Sequence, residues 1–365
     1  MSFRKSFALG RRGTTAGVAA ALLAGATSCR APAEPAAEPP AVASRVSAAK
    51  TAAGTQWEAL FSRLCAAPAS AATPAPATPA AATPAAAPPA PAAPPPAGPD
   101  RATWYAAPVQ VFDNLYYLGM TEYSAWAVTT SAGIILVDTI FDYSVEAEVV
   151  DGLRTLGLDP ATIKYAIVSH GHGDHSGGAK YLQDTFGTKI VLAAEDWDLV
   201  EQGSGSKPRR DVIATDGMAL TLGDTALQLY VTPGHTLGTI STVIPLRDHG
   251  RPHVAVTWGG TAFNWLTNRT GYITPERPDG FWFRHYIASA ARFADVAARA
   301  HADVMLSNHT IFDGSKTKLP LLRTRTAEEP NPYVVGADGV HAYLTVAEEC
   351  ARGTSAFAIA LIGRS

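Results

Sequence analysis

The sequence predicts an α/β fold in which two β-sheets pack together between layers of helices. Apolar, β-rich runs at 164–168 and 190–193 each lead into a segment with helical spacing. A second group of strand-like runs follows, including 219–222 and 226–232, which are joined by a Gly-Asp turn. Strands, then helices, then strands again suit two sheets enclosed by helices.

The composition allows one large domain with additional segments. The chain has 365 residues, a formal net charge of −3 and 47% hydrophobic residues. That length is enough for a domain of about 250 residues with a substantial core. The charge is not extreme, so it gives no indication of nucleic-acid binding. No apolar run reaches the roughly 18 residues that a membrane span requires.

Residues 1–29 have the features of an export signal. Four basic residues lie within the first twelve positions, and a mildly apolar stretch rich in Ala and Leu follows at 14–26. The sequence Ala26-Thr-Ser-Cys29 resembles a lipobox, with Ala26 at a position where Leu is usual. We therefore expect an exported protein. Two forms stay open: a soluble periplasmic protein and a lipoprotein anchored to the membrane through Cys29.

The composition changes several times before the main domain begins. Residues 30–43 are rich in Ala, Pro and Glu, which predicts a disordered stalk. At 44–65 apolar residues recur with helical spacing, and we expect this helix to dock on the main domain because it would be marginal alone. Residues 66–99 are almost entirely Ala, Pro and Thr, which predicts an extended linker. The main domain is expected at 100–352, with a C-terminal tail at 353–365.

The main domain begins with strand-like runs and continues with alternating helices and strands. Polar side chains follow several of these strands directly, which is the usual position of ligand-binding residues in layered α/β folds. In chain order, the predicted elements are strands at 109–118, 125–130 and 133–138, a helix at 145–156, a strand at 164–168, a helix at 179–186, a strand at 190–193, a helix at 195–202, strands at 219–222 and 226–232, and a helix at 342–351.

Three histidines and one aspartate follow the predicted strand at 164–168. His170, His172, Asp174 and His175 lie within six consecutive positions. Side chains alternate along an extended segment, so the first two histidines point the same way and can bind one metal ion. As the chain turns, Asp174 and His175 are directed to a neighbouring point, where a second ion fits. Imidazole with an occasional carboxylate is a ligand set that suits zinc.

Two more histidines occur in the same context, directly after a strand. Zinc normally takes four ligands, so other segments must contribute to each site. The strand at 227–232 ends in a Pro-Gly turn that presents His235, which we assign as the third ligand of the first zinc. The apolar run Val304-Met-Leu-Ser leads to His309, which we assign to the second zinc with Asp174 and His175. The predicted cofactor is therefore a pair of zinc ions.

The His-x-His-x-Asp-His motif resembles that of the metallo-β-lactamase superfamily, and the resemblance implies a four-layer αββα sandwich with a metal site at the sheet edge. In glyoxalase II-like and lactonase-like members, a metal-bridging Asp stands where this sequence has Gly260. The subclass with a cysteine ligand at this place is excluded too. Three histidines beside an Asp-His-His set resemble the third subclass of metallo-β-lactamases, over roughly residues 104–315.

The resemblance implies a zinc-dependent hydrolase that opens a cyclic amide in a small-molecule substrate. Zinc would lower the pKa of bound water toward about 7, giving hydroxide that attacks the carbonyl. Asp174 would orient this nucleophile and pass its proton on. Asp138, at the end of its own strand, is predicted to fix a histidine tautomer, with a helix or turn cap as the alternative.

Other readings of the same residues stay open. A lactonase or an arylesterase could use the same two-metal site, and a non-catalytic zinc-binding protein would bind metal without turnover. No protein partner is inferred for any of these functions. A substrate carboxylate is commonly held by a serine near the Gly260 position in the third subclass, and Arg209 and Arg210 could attract it here. The side chains predicted to contact the substrate are Thr261, in place of that serine, and Trp126, Trp265 and Tyr272.

The three cysteines do not have the spacing of a metal site. Cys65 ends the predicted N-terminal helix, and Cys350 lies in the predicted helix at 342–351. In an oxidising compartment, we predict a Cys65–Cys350 disulfide that pins the N-terminal helix to the main domain. The alternative is two unrelated buried thiols, since free cysteine packs readily in cores.

Overall fold

The structure, a computed structural model, describes residues 40–65 and 99–362. The predicted export signal with Cys29, most of the predicted stalk and nearly all of the linker lie outside these residues. Among the helices in the described ranges, none is long and apolar enough to cross a membrane.

The first sheet places its seven strands in chain order. They are β1 (Val109–Phe112), β2 (Leu115–Tyr117), β3 (Trp126–Thr130), β4 (Gly133–Val137), β5 (Ile163–Ile167), β6 (Lys189–Ala193) and β7 (Val212–Ala214). Pairing is antiparallel from β1 to β4 and parallel from β4 to β7. The single strand predicted at 109–118 is a hairpin instead, because Phe112 pairs with Leu115 across a two-residue Asp-Asn turn.

The second sheet has five strands in the order β12-β11-β10-β9-β8. They are β8 (Met218–Leu222), β9 (Thr225–Val231), β10 (Ile240–Asp248), β11 (Arg251–Trp258) and β12 (Val304–Ser307). β11 and β12 are parallel, with Trp258 opposite Ser307. Their carboxyl ends therefore lie side by side at one edge of the sheet.

A helical layer covers the outer face of each sheet. The helices are α1 (Pro40–Ala53), α2 (Glu58–Leu64), α3 (Asp151–Thr155), which follows a π-helical turn at Glu146–Val150, α4 (Gly173–Ser176), α5 (Ala179–Phe186), α6 (Ala194–Gln202), α7 (Asn264–Thr267), α8 (Arg269–Tyr272), α9 (Asp279–Arg299), α10 (Thr310–Asp313), α11 (Ser315–Leu322) and α12 (Gly336–Ile362), with short 3-10 turns at Arg101–Thr103 and Pro160–Thr162. Side chains of α3, α5 and α6 share a core with the first sheet, and those of α9 and α12 share one with the second. A third core, formed by residues of both sheets, lies between them. The predicted αββα sandwich is confirmed.

The N-terminal segment folds as two helices where the sequence predicts one. The break falls at Gly54, whose φ of +50° is a left-handed conformation that favours glycine. α1 also begins at Pro40, inside the segment predicted as stalk. Trp57, 2% exposed, anchors the second helix because its indole N–H donates to the carbonyl of Gly339 at 2.9 Å. The expected docking on the main domain is therefore present.

A disulfide and a close helix contact hold this segment on α12. Cys65 and Cys350 are bonded, with their Cα atoms 4.8 Å apart, so the predicted disulfide is confirmed. α12 continues to Ile362, well into the region predicted as a C-terminal tail. α1 packs against α12, and Arg45 of α1 forms an ion pair with Glu349 of α12 at 3.0 Å.

Candidate metal centre

The polar residues predicted at strand ends meet at one edge of the sandwich. His170 follows β5, His235 follows β9 and His309 follows β12. A backbone hydrogen bond from the N–H of Ile240 to the carbonyl of Ser169, 2.7 Å long, joins the two sheets at this edge. The three histidines, each predicted directly after a strand, therefore lie together in the structure.

The first cluster consists of His170, His172 and His235. Nε2 of His235 lies 3.1 Å from Nε2 of His170 and 3.2 Å from Nδ1 of His172. The opposite ring nitrogens of His170 and His235 contact the carbonyls of Gly259 and Ala262 at 2.8 and 2.7 Å. A carbonyl only accepts, so those nitrogens carry the protons and the converging ones carry lone pairs. Three lone pairs directed at one point form a cation site.

Burial keeps these imidazoles neutral. It lowers the pKa of His170 and His235 well below the ordinary value, and it lowers the pKa of His172 to about 4. Neutral imidazole is the form that binds a metal ion. The cluster therefore has both the geometry and the protonation state of a ligand set.

Tyr272 determines which nitrogen of His172 faces the cluster. Its hydroxyl lies 2.9 Å from Nε2 of His172 and donates to the carbonyl of His235 at 2.9 Å. Because the hydroxyl has only one proton, Nε2 of His172 must donate to the phenol oxygen. Burial raises the pKa of Tyr272, so the phenol stays protonated. The result is a neutral His172 with its Nδ1 lone pair directed at the cation site.

The second cluster consists of Asp174, His175 and His309. Nε2 of His175 lies 3.2 Å from Oδ2 of Asp174 and 3.3 Å from Nε2 of His309. Burial lowers the pKa of His175, but the carboxylates of Asp174 and Asp138 outweigh it and raise the pKa to about 10. Burial lowers the pKa of His309 to about 3. The two carboxylates therefore favour positive charge at His175, as the carboxylate of a metal site favours a cation, while His309 stays neutral.

Asp138 fixes the orientation of His175. Of the two roles predicted for it, a partner for a histidine or a helix or turn cap, this contact matches the first. Its Oδ2 lies 3.0 Å from Nδ1 of His175, and its Oδ1 accepts the backbone N–H of Ser169 at 2.6 Å. Asp138 has a φ of 64°, an uncommon backbone conformation for a residue other than glycine. With its Nδ1 held by this carboxylate, His175 presents Nε2 to the cluster.

Two buried polar residues that sequence reasoning missed hold the loops of the site together. Asp196 accepts the N–H of Gly171 at 2.8 Å, the N–H of Gly238 at 2.9 Å and the hydroxyl of Thr236 at 2.7 Å. It therefore ties the His170–His172 loop to the His235 loop, and burial raises its pKa to about 6. No local pattern marks this residue, because it lies in the ordinary first turn of α6.

Asn308 is the second such residue. Its side-chain amide donates to Ser169 Oγ at 3.1 Å and to the carbonyl of Gly259 at 2.8 Å. These bonds join the ends of three strands beneath the two clusters. Its position directly before His309 is the only available signal in the sequence.

A cavity of about 510 Å³ opens above both clusters. Tyr272 lies in its wall, where the sequence places a substrate contact. The other residues lining this cavity are Arg63, Glu122, Tyr123, His172, Asp174, His235, Ala262, Asn264, Asn268, His309, Ile311 and Phe312.

The other predicted substrate contacts lie elsewhere in the described structure. Thr261 is buried and its hydroxyl lies 3.2 Å from that of Tyr343. The buried indole of Trp126 donates to the carbonyl of Ser307 at 3.0 Å. Trp265 is 0% exposed and stacks on Trp282. All three are core side chains, so we do not retain them as substrate contacts.

The two arginines expected to attract a carboxylate are also placed away from this cavity. Arg210 pairs with Asp198 and Glu201, and Arg209 lies 3.8 Å from Asp184. Both side chains belong to surface ion pairs around α5 and α6. The structure therefore places neither Arg209 nor Arg210 at the substrate site.

Comparisons with known proteins agree with this geometry. Residues 119–249 match the family model described as the Metallo-beta-lactamase superfamily. The subclass B3 metallo-beta-lactamase BJP-1 of Bradyrhizobium japonicum is similar with a TM-score of 0.59 and 25% identity, over 71% of this chain and 97% of that one. The native FEZ-1 metallo-beta-lactamase of Legionella gormanii gives a TM-score of 0.55 and 22% identity, over 71% and 96% of the two chains, and shows the fold alone.

Curated relatives match a shorter stretch. A hydroxyacylglutathione hydrolase of Acidiphilium cryptum is 27% identical over 117 residues, which is 32% of this chain and 42% of that protein. The chain therefore spans less than half the length of the first curated relatives that it matches.

Proposed function

Because the chain carries a metallo-β-lactamase superfamily domain of the hydrolase type, we propose that it is a zinc-dependent hydrolase that opens a cyclic amide. The observation that carries this proposal is the pair of donor clusters at the sheet edge. Five imidazoles and one carboxylate form a set that suits two zinc ions. The first ion would be held by His170, His172 and His235, and the second by Asp174, His175 and His309.

Gly260 favours a cyclic amide over the substrates of the curated relatives. Glyoxalase II-like members place a metal-bridging aspartate at this position. Here a β-carbon at Gly260 would lie 2.4 Å from Cβ and 2.5 Å from Cγ of His235. An aspartate would therefore displace His235 instead of bridging two ions. This close contact supports a similarity to the third subclass of metallo-β-lactamases, in which no carboxylate bridges the two metal ions.

When bound, zinc supplies the Lewis acidity that lowers the pKa of water and polarises a carbonyl. Burial raises the pKa of Asp174, but the neighbouring His175 and His309 outweigh it and hold the pKa well below the usual range. The carboxylate is therefore ionised, as a ligand of the second ion must be, and it can orient the attacking water and pass its proton on. As the carbon–nitrogen bond of the amide breaks, Asp174 would return that proton to the nitrogen. The side-chain amides of Asn264 and Asn268 in the cavity wall would orient the substrate.

We propose further that the protein is exported to the periplasm, either soluble or anchored at Cys29. The Cys65–Cys350 disulfide supports this location, because disulfides persist in oxidising compartments and are rare in the cytosol. Cell fractionation with thiol labelling tests the proposal. A cytosolic protein with reactive Cys65 would contradict it.

The hydrolase proposal is tested by metal analysis followed by assays with a chromogenic cephalosporin, a lactone and an aryl ester. We expect about two zinc ions per chain and cephalosporin hydrolysis that a chelator abolishes and added zinc restores. His235→Ala should lose the first ion. His341→Ala, on the exposed side of α12, is the matched control and should keep both metal and rate. Chelator-resistant hydrolysis, or turnover of the ester or lactone alone, contradicts the proposal.

A further inference from the structure

The N-terminal segment contributes a side chain to the cavity above the two clusters. α2 packs against α10, the short helix that directly follows His309. Arg63 of α2 lines the same cavity as Ile311 and Phe312 of α10. A residue that lies far from the metal motif in sequence therefore borders the same space as His172 and His235.

Among the described residues of the cavity wall, Arg63 supplies the positive charge. The lining residues with full charges are Arg63, Glu122 and Asp174. Glu122 forms an ion pair with Lys316, and Asp174 lies 3.2 Å from the imidazole of His175. Among the described residues, the exposed guanidinium of Arg63 forms neither an ion pair nor a side-chain hydrogen bond. A planar guanidinium with five donors matches a carboxylate better than any other side chain does.

The backbone that carries Arg63 is fixed on both sides. Leu60 and Leu64 of the same helix are buried in the core shared with α12. Two residues beyond Arg63, the disulfide joins Cys65 to Cys350. Because the helix is already ordered, ligand binding would have to restrict only the arginine side chain, and preorganisation of this kind favours affinity.

We propose that Arg63 binds a carboxylate of the substrate, so that the disulfide-linked N-terminal helix is a substrate-recognition element of the hydrolase. The inference rests on the proposed function for the reaction, and it adds the residue that recognises the carboxylate of the cyclic amide. It also assigns to Arg63 the role that the sequence suggested for Arg209 and Arg210.

The kinetic test compares a chromogenic cephalosporin carboxylate with its methyl ester. Arg63→Ala should raise KM for the carboxylate about tenfold, since a partly solvated charge-assisted contact is worth a modest amount. KM for the ester and both kcat values should stay within about twofold, and Arg63→Lys should recover part of the loss. Lys50→Ala removes an exposed positive charge from α1 outside the cavity lining. It is the matched control and should change neither KM.

An equilibrium measurement separates this inference from the hydrolase proposal. Chelator-treated protein cannot turn the cephalosporin over by a metal-dependent route, so calorimetry reports binding alone. Wild type should bind the carboxylate about tenfold more tightly than the ester, and Arg63→Ala should remove that preference. Equal binding of both forms by wild type, or an unchanged preference in Arg63→Ala, overturns the inference. If the preference depends on Arg63 but the zinc-loaded protein hydrolyses neither compound, the hydrolase proposal fails and the anion site stands.

Discussion

Replacing Cys65 and Cys350 together would remove the covalent link between α2 and α12. The two cysteines are 285 residues apart, so the bond restricts most of the unfolded main domain. In the chain-entropy model, a closed loop of this length adds about 5 to 6 kcal/mol to the free energy of unfolding. Alanine is the better replacement, because Cys350 is 1% exposed and a serine hydroxyl there would need a hydrogen-bond partner.

Urea denaturation followed by tryptophan fluorescence measures this effect, and Trp57 reports on α2 directly. The Cys65→Ala/Cys350→Ala protein should lose about 5 to 6 kcal/mol of unfolding free energy. A reductant should lower wild type to the same value and leave the double variant unchanged. A difference below about 1 kcal/mol between oxidised wild type and the variant would refute the reasoning, since it would mean that the cross-link barely constrains the unfolded chain.

Two further substitutions test the hydrogen bond from a metal-cluster histidine to Tyr272 and the protonation of the buried carboxyl group of Glu148. Tyr272→Phe removes the hydroxyl that fixes the tautomer of His172, so affinity for the first zinc should fall about 10- to 100-fold in a chelator competition assay; unchanged affinity would mean that the phenol does not position the ligand. Burial raises the pKa of Glu148 to about 8 from an ordinary value of 4.5, so the folded state holds its proton to higher pH than the unfolded state does. The free energy of unfolding should therefore fall as pH rises from about 5 to about 8, by up to about 1.4 kcal/mol per pH unit, and Glu148→Gln should flatten that slope. An equal slope in both proteins, measured by urea denaturation at several pH values, would argue against a protonated Glu148.

The residues of the two clusters could be predicted from sequence because each one is marked locally. His170, His235 and His309 all follow short apolar runs that end in small or polar residues. Such runs form strands, and the ends of neighbouring strands meet at one edge of a sheet. The pattern therefore predicted which residues would meet at this edge before any tertiary contact was known.

The cavity wall could not be predicted in the same way. Trp126 and Trp265 suit a core as well as a pocket, and only their packing partners decide between the two. Arg63 reaches the cavity because α2 packs against α10 and α12, helices that are far from it in the sequence. Asp196 acts through three hydrogen bonds to other loops. Each of these positions depends on long-range contacts that no local pattern encodes.

The fit of Gly260 against His235 has an evolutionary consequence. The proposed difference between a bridged and an unbridged two-metal enzyme is one side chain at this position, yet any larger residue at Gly260 would push on His235, the proposed metal ligand. The intermediate would lose its first ion before it gained a bridge. A bridging aspartate could therefore arise at position 260 only after a change that moves the loop around His235. Gly260 thus limits which single substitutions can convert one type of metal site into the other.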